Sequence, residues 1–236
     1  MKRIYKTVSM AAVETGHEIH LDGRPVRTPQ SRSLTAPTQQ LAQAIVEEWA
    51  AQAEQVRPHS MPMTSLLATA LDRTAPDRQR VVTGMVGFAQ TDLICYRATH
   101  PEELVRRQDA VWQPLVEWAE TRFGARLRLV DGVMPMPQPD AALAALADAV
   151  GQLDPFRLTG LGATAGAAGS LVIGLAMLEG RLSAEAAFAA SQVDELFQIE
   201  RWGEDEEAAD HRAQLLVDFC DAGRFLSLIA AGPSAG

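Results

Sequence analysis

A change in the period of the apolar residues, after about the first thirty-five positions, most constrains how this chain can fold. Before it, apolar residues alternate with polar ones, as at Ile4, Val8 and Met10 and again along 17–21. Alternation with a period of two is typical of strands with one buried face. Asp22–Gly23 is a strong tight-turn signal, because glycine tolerates the positive φ that such turns require. We therefore predict a small antiparallel β unit.

The segment after the turn and the first helix complete this region. Arg24–Pro29 is expected to be an extended edge segment, because neither of its prolines can donate a hydrogen bond to a neighbouring strand. Leu41, Ile45 and Trp49 then recur every four residues on one face of a predicted helix. That helix would cover one face of the sheet. We expect an α+β N-terminal domain over residues 1–58.

Most of the remaining chain has the period of helices. Pro114 should kink one of them, because proline lacks the N–H of one helical hydrogen bond, and Arg126–Val130 is expected to be a short strand. A last helix is expected from about Asp205 to Leu228. The fold class is therefore α+β: a small antiparallel β N-terminal domain with a covering helix, followed by a mainly α-helical bundle domain over 59–236. Residues able to cap helices mark other expected helix starts: Thr74, Thr99, Asp140, Asp154 and Ser183.

One long apolar stretch raises the question of a membrane span. Leu158–Leu178 contains no charged residue and is long enough to cross a bilayer. However, most of its residues are small, and no aromatic belt flanks it. A helix that is buried on all sides in a helical bundle has the same composition. We expect a buried central helix and no stable membrane insertion.

Charge and cysteine content limit the classes of partner and compartment. The formal charge of −9 argues against a nucleic-acid partner, since phosphate neutralisation requires clustered Lys and Arg. Cys95 and Cys220 are far apart among apolar neighbours and match no zinc pattern, so buried free thiols are favoured over a disulfide. The first residues have a strand-like pattern and no apolar signal segment. These features predict a cytoplasmic protein of bacterial type.

The sequence contains none of the common enzyme motifs, such as a Gly-x-Ser-x-Gly elbow, a Walker loop or a His-Glu-x-x-His helix. Gly160, Gly162 and Gly166 miss the dinucleotide-binding spacing by one residue, so close helix packing is the favoured interpretation. For Asp72 and Asp92, a buried acid that joins two helix ends is favoured over a catalytic carboxylate. The alternative hypothesis is an enzyme of unknown type with a carboxylate and histidine site in a cleft between the domains. We assign no catalytic, cofactor or metal site.

Acidic residues crowd around a Trp–Gly corner near the end of the chain. The corner comprises Gln198, Trp202 and the run Glu204–Glu207. The dipole of the helix that begins here favours these acids, which is a structural explanation of the charges. It does not explain a large aromatic residue at a helix break, whereas an aromatic anchor ringed by carboxylates is a common interface design. These residues alone support a role in partner binding and a purely structural role equally.

A series of motifs along nearly the whole chain, from about Ile4 to Leu228, resembles one known family. The motifs are Leu21–Pro29, Glu48–Gln52, Met61–Thr64, Thr91–Arg97, Gln108–Leu115, Gly169–Leu171 and Gln198–Glu207. Their order and spacing resemble those of the assembly chaperone of the F-type ATP synthase alpha subunit, known from mitochondria and alpha-proteobacteria. Relatives in eukaryotes work in the mitochondrial matrix.

The resemblance implies a function that composition does not show. Such proteins bind the unassembled alpha subunit, shield the apolar surface that a beta subunit later covers, and release it during assembly without hydrolysing ATP. We accordingly expect a monomeric chaperone that needs no cofactor and is not an enzyme. Trp49 also lies in a family motif, but its helical spacing favours a packing residue between the domains. The partner-binding residues implied are Gln198, Trp202, Glu204, Asp205, Glu206 and Glu207.

Overall fold

The sheet near the N-terminus has the antiparallel topology that the alternation predicts. In the computed structural model, which describes residues 2–132 and 134–230, β2 pairs antiparallel with each of the other three strands. Asp22, with a φ of 48°, and Gly23, with a φ of 75°, form the expected turn after β2. The strands are β1 (Val8–Val13), β2 (Gly16–Leu21), β3 (Arg24–Pro25) and β4 (Thr35–Ala36).

Helix α1 (Gln39–Ala50) covers this sheet. It begins after Thr38, whose hydroxyl accepts a hydrogen bond of 3.2 Å from the N–H of Leu41, as expected of a threonine N-cap. Leu41 and Ile45 are fully buried in one apolar cluster with Ile19 of β2. The predicted covering helix is therefore confirmed.

Trp49, near the end of α1, is a packing residue as predicted, but its ring partner lies in the N-terminal region. Its ring contacts that of Tyr5 edge-on, with 5.6 Å between the centroids. The Tyr5 hydroxyl also donates a hydrogen bond of 2.7 Å to the carbonyl oxygen of Trp49. These contacts join α1 to the segment before β1. Trp49 also belongs to the apolar cluster that includes Met63 and Leu67, which lie beyond residue 58, so its role between independently folding domains stays a prediction.

The rest of the described chain is mainly helical. The two further strands, β5 (Tyr96–Arg97) and β6 (Val130–Asp131), pair parallel, so the strand expected over 126–130 is restricted to its last residue and the one that follows. Helix α4 continues through Pro114. The predicted α+β class is confirmed. The further α-helices are α2 (Pro62–Thr69), α3 (Arg78–Gln90), α4 (Glu102–Phe123), α5 (Asp140–Gly151), α6 (Pro155–Ala168), α7 (Leu171–Leu178), α8 (Ala184–Ser191), α9 (Val193–Trp202) and α10 (Glu206–Ala230).

The chain divides into two compact units. The first extends to Arg78 and also includes Asp154–Gly160 and the chain from Arg224, while the second holds the remainder. The first unit extends beyond residue 58 because Met63 and Leu67 of α2 are fully buried in the same apolar cluster as residues of α1 and β2. The division into domains at residue 58 stays a prediction about independently folding parts.

The apolar stretch Leu158–Leu178 is two helices, so the expectation of one central helix was wrong. Helix α6 ends at Ala168, and α7 begins after Ser170, whose hydroxyl accepts a hydrogen bond of 3.0 Å from the N–H of Ile173. All but the last residue of α7 are buried. Within the described residues, no helix is long and apolar enough to cross a membrane.

Glycines in these two helices permit close packing, as predicted for the 160–166 pattern. A Cβ on Gly160 would lie 2.4 Å from Cδ2 of Leu226, a distance that real side chains do not adopt. A Cβ on Gly174 of α7 would lie 3.0 Å from Leu161 and 3.2 Å from Ala165, both on α6. Close approach of packed side chains thus accounts for Gly160 and Gly174.

Candidate partner-binding site

The acidic corner, which comprises Gln198, Trp202 and Glu204–Glu207, lies in the second unit, where α9 ends and α10 begins. Gly203 has a φ of 82°, a conformation that favours glycine, and its N–H donates a hydrogen bond of 2.8 Å to the carbonyl of Ile199. This turn leaves the side chain of Trp202 with 76% of its surface exposed. A tryptophan side chain that exposed is unusual, because it leaves a large apolar area in water.

Two acids of the corner stabilise the turn. The half-buried Glu204 accepts a hydrogen bond of 2.6 Å at Oε2 from Nη2 of Arg212, in the second turn of α10. Asp205 is the N-cap of α10, because its Oδ1 accepts a hydrogen bond of 3.0 Å from the N–H of Ala208. Both carboxylates therefore have structural partners in α10.

The last turn of α9 is held by a network of ion pairs with α4. Arg107 lies 2.8 Å from Glu103 and 2.6 Å from Glu200, and Arg201 lies 2.9 Å from Glu103. Hydrogen bonds from these guanidinium groups lower the pKa of both carboxyl groups. The two arginines also lie over the ring of Phe197, at 5.3 and 4.5 Å. The network fixes the end of α9 and neutralises Glu200, an acid next to the corner.

Four of the six predicted residues remain free to contact a partner. Gln198, Trp202, Glu206 and Glu207 are exposed, and no hydrogen bond or ion pair involves their side chains within the described residues. Glu206 and Glu207 occupy the first turn of α10, where the helix dipole favours their charge. The corner thus presents one large aromatic side chain with an amide and two unpaired carboxylates, held on two helix ends.

The buried acids that the sequence singled out have structural partners. Asp92 accepts hydrogen bonds from the N–H groups of Ile94, at 3.3 Å, and Val172, at 3.1 Å. It therefore joins a short 3-10 helix to the start of α7, as predicted. Burial raises its pKa to about 6. Asp72 accepts hydrogen bonds from the Thr28 hydroxyl, at 2.7 Å, and the N–H of Gln30, at 3.0 Å, and so holds the loop after β3.

Both cysteines are free thiols. Cys95 is buried, and burial raises its pKa to about 12, so it stays a thiol. Cys220 is also a free cysteine and is partly buried. Across residues 2–132 and 134–230, no group of three or more His, Cys, Asp and Glu side chains is placed to hold a metal ion.

Sequence reasoning missed the arginines that shape the corner. Arg107 lies almost a hundred positions before its partner Glu200, and no local pattern links them. Gln108, in a motif of the resemblance, has a similar role: its Nε2 donates a hydrogen bond of 2.6 Å to Asp194 at the start of α9. Its Oε1 also accepts a hydrogen bond of 2.7 Å from the N–H of Ala98. These contacts could be predicted only by knowing that α4 packs against α9.

Comparisons with known proteins agree with the resemblance. Residues 2–120 match a family model described as ATP12 chaperone protein. The chain is also similar to protein atp12, mitochondrial, from Schizosaccharomyces pombe, with 27% identity over 202 residues, which cover 80% of this chain and 69% of that protein.

Solved structures match nearly the entire chain. Atp12 from Paracoccus denitrificans is 42% identical, with a TM-score of 0.92 over 97% of this chain and 98% of that one. The Atu1473 protein from Agrobacterium tumefaciens is 43% identical, with a TM-score of 0.90 over 96% of this chain and 85% of that one. Since the family model spans half of the sequence and relatives of this identity share the whole fold, the chain belongs to the ATP12 family of ATP synthase assembly chaperones.

Proposed function

We propose that the protein binds the unassembled alpha subunit of the F-type ATP synthase and shields the surface that a beta subunit later covers. Membership of the ATP12 family over nearly the whole chain is the observation that carries this proposal. The physical need is clear, because surfaces that belong in obligate interfaces are large, apolar and prone to aggregate while unpaired. The chaperone would occupy that surface and release it during assembly.

In this proposal the protein works by binding alone and catalyses no reaction. It acts as a monomer, in the cytoplasm of a bacterium, whereas the relative from Schizosaccharomyces pombe is named as mitochondrial. Its partner is a protein and not a nucleic acid, in keeping with the formal charge of −9. Asp72 and Asp92, which would be the acids of an alternative enzyme, are engaged with backbone N–H groups.

The acidic corner is the proposed contact surface, and its six residues divide into two roles. Trp202 would be the apolar anchor, with Gln198, Glu206 and Glu207 supplying polar contacts around it. Glu204 and Asp205 would maintain the turn that presents them, because they already bind Arg212 and the N-terminus of α10. This division limits the variants that can test binding without disturbing the fold.

Binding to the isolated alpha subunit tests the proposal. We expect a complex at micromolar concentrations of the full chain, measured by calorimetry or by co-elution in size-exclusion chromatography. Prevention of alpha-subunit aggregation, followed by light scattering, should saturate at one chaperone per subunit. Absence of a complex at about 10 µM, a concentration that detects even weak specific association, would rule the proposal out if circular dichroism shows an intact fold.

The corner itself is tested by Trp202→Ala. We expect the affinity for the alpha subunit to fall by at least about tenfold, as for a central aromatic anchor, with the melting temperature nearly unchanged because the ring is exposed. Val111→Ala, which shortens an exposed apolar side chain on α4, is the matched control and should bind normally. If Trp202→Ala binds like the control, or unfolds, the corner is not the contact surface.

A further inference from the structure

Two cavities in the first unit share a wall. Their volumes are about 440 and 580 Å³. Val26, Arg27 and Trp49 line both of them, so the cavities adjoin, and we call the pair the basic groove. The groove is composed only of residues before Arg78, and none of them belongs to the acidic corner.

The groove offers apolar surface to a ligand. Leu34, Pro58 and Ala68 line the first cavity, and Ile4 and Pro25 line the second. The Ile4 side chain is 87% exposed, more than that of any other large apolar residue in the described part of the chain. An apolar side chain left in water beside a cavity is typical of a site that another molecule covers.

The unpaired charges of the groove are positive. Lys2, Arg24 and Arg73 line it, are exposed, and take part in no hydrogen bond or ion pair through their side chains within the described residues. The two acids in its lining are engaged: Asp22 accepts hydrogen bonds from the N–H groups of Lys6 and Thr7, and Asp72 holds the loop after β3. With Arg27, four cations line the groove against these two carboxylates, so the excess of charge in its lining is positive.

The shared wall includes a polar group without a partner. Trp49 is 8% exposed, and its indole N–H is buried with no acceptor among the described residues. A buried donor without an acceptor is destabilising, and most such donors in native proteins are satisfied. A carbonyl or carboxylate of a molecule seated in the groove is the kind of acceptor that this N–H lacks.

From these observations we infer that the basic groove binds an extended, acidic and apolar segment of the client protein. In an extended chain alternate side chains point to the same side, so two apolar side chains can enter the two cavities across their common wall. Acidic residues in the segment would face Arg24 and Arg73, and its backbone carbonyls are candidate acceptors for Trp49. The inference rests on the proposed function, because the client is the alpha subunit.

Binding of short client peptides to the full chain tests this inference. Fluorescein-labelled 12-residue peptides tiled across the alpha subunit would be titrated by fluorescence polarisation against the wild type. The groove variant is Arg24→Glu/Arg73→Glu, which has one change in each cavity. The control variant is Arg57→Glu/Arg126→Glu. The control makes the same change in charge at exposed arginines that do not line the groove.

We expect the tightest peptides to combine Asp or Glu with large apolar residues, and the groove variant to bind them about tenfold more weakly, as for two reversed charges facing acids. The control should bind them like the wild type. Trp49→Phe, which keeps an aromatic ring but removes the N–H, should weaken binding about fivefold, the value of one hydrogen bond. Circular dichroism would verify that every variant is folded.

The outcomes separate this inference from the proposed function. If the alpha subunit binds but none of its 12-residue peptides does, or if basic peptides bind best, the groove is not a client site. The same conclusion follows if the groove variant and the control variant bind the acidic peptides equally well. If the alpha subunit itself does not bind the wild type, the proposed function has failed, and the inference fails with it.

Discussion

At the scale of single residues, the buried carboxylate of Asp92 shows how one charge can join distant parts of a chain. Its two oxygens accept hydrogen bonds from N–H groups in the first turns of two helical segments, at Ile94 and Val172. The local cap could be expected from the sequence, because aspartate is a common N-cap. The link to Val172 could not, since eighty positions separate the two residues.

Asp92→Asn should change how stability depends on pH. Burial raises the pKa of Asp92 to about 6 from an ordinary value of 3.8. Between these values the folded protein binds more protons than the unfolded chain, so this group's contribution to the free energy of unfolding falls as the pH rises from about 4 to above 6. Asparagine does not titrate. Urea denaturation from pH 4 to 7 should therefore show a wild-type free energy that falls relative to that of Asp92→Asn.

The exposed Asp148 on α5 provides the control for that experiment. Asp148→Asn should run parallel to the wild type over the same range of pH. A constant difference between the wild type and Asp92→Asn would mean that Asp92 titrates alike in the folded and unfolded states, and that its burial does not govern its pKa.

At the scale of elements, two motifs that are separate in the sequence form one structural unit. Glu48 of α1 accepts hydrogen bonds from the N–H groups of Met63, at 2.7 Å, and Thr64, at 2.8 Å, and so caps α2 from outside. Gln52 accepts a hydrogen bond of 2.7 Å from the N–H of Arg57 in the intervening loop. The apolar spacing of α1 predicted the helix and its covering role. It could not reveal the role of Glu48, because periodicity carries no information about an acceptor required by another helix.

Glu48→Gln should destabilise the fold. The amide keeps one acceptor oxygen but turns an N–H₂ group towards the start of α2, so one N–H there loses its partner. We expect the free energy of unfolding to fall by about 1–3 kcal/mol, the value of leaving a buried donor unsatisfied. Chemical denaturation measures it directly. The neighbouring Glu47 is exposed, and Glu47→Gln should change stability by less than about 0.5 kcal/mol; an equal loss in both variants would contradict the capping role.

At the scale of the whole molecule, charge is divided unevenly between the two compact units. The first holds eleven of the 21 basic residues and nine of the 30 acidic ones, for a formal charge of +2, so the second carries −11. Composition provides the total charge, which argues against a nucleic-acid partner. It does not show how the charge is divided, because the first unit takes in Asp154–Gly160 and the chain from Arg224. A field of this strength over the second unit should affect how fast a partner arrives at the acidic corner.

The rate of association with the alpha subunit should therefore depend on salt through the corner. Glu206 and Glu207 are its unpaired acids, so they act on an approaching basic surface until ions screen them. Raising the NaCl concentration from 0.05 to 0.5 M shortens the screening length from roughly 14 to 4 Å. We expect the wild-type association rate, measured by stopped-flow fluorescence, to fall about tenfold over this range, as in other electrostatically steered complexes.

Neutralising the two acids isolates their part in this effect. Glu206→Gln/Glu207→Gln should associate more slowly at 0.05 M NaCl, show a weaker dependence on salt, and converge with the wild type at 0.5 M. Asp131→Asn/Asp148→Asn removes the same charge at exposed positions outside the corner and should retain most of the wild-type dependence. Because both pairs alter the net charge equally, identical salt dependence in the two variants would mean that total charge, and not the acidic corner, guides the client.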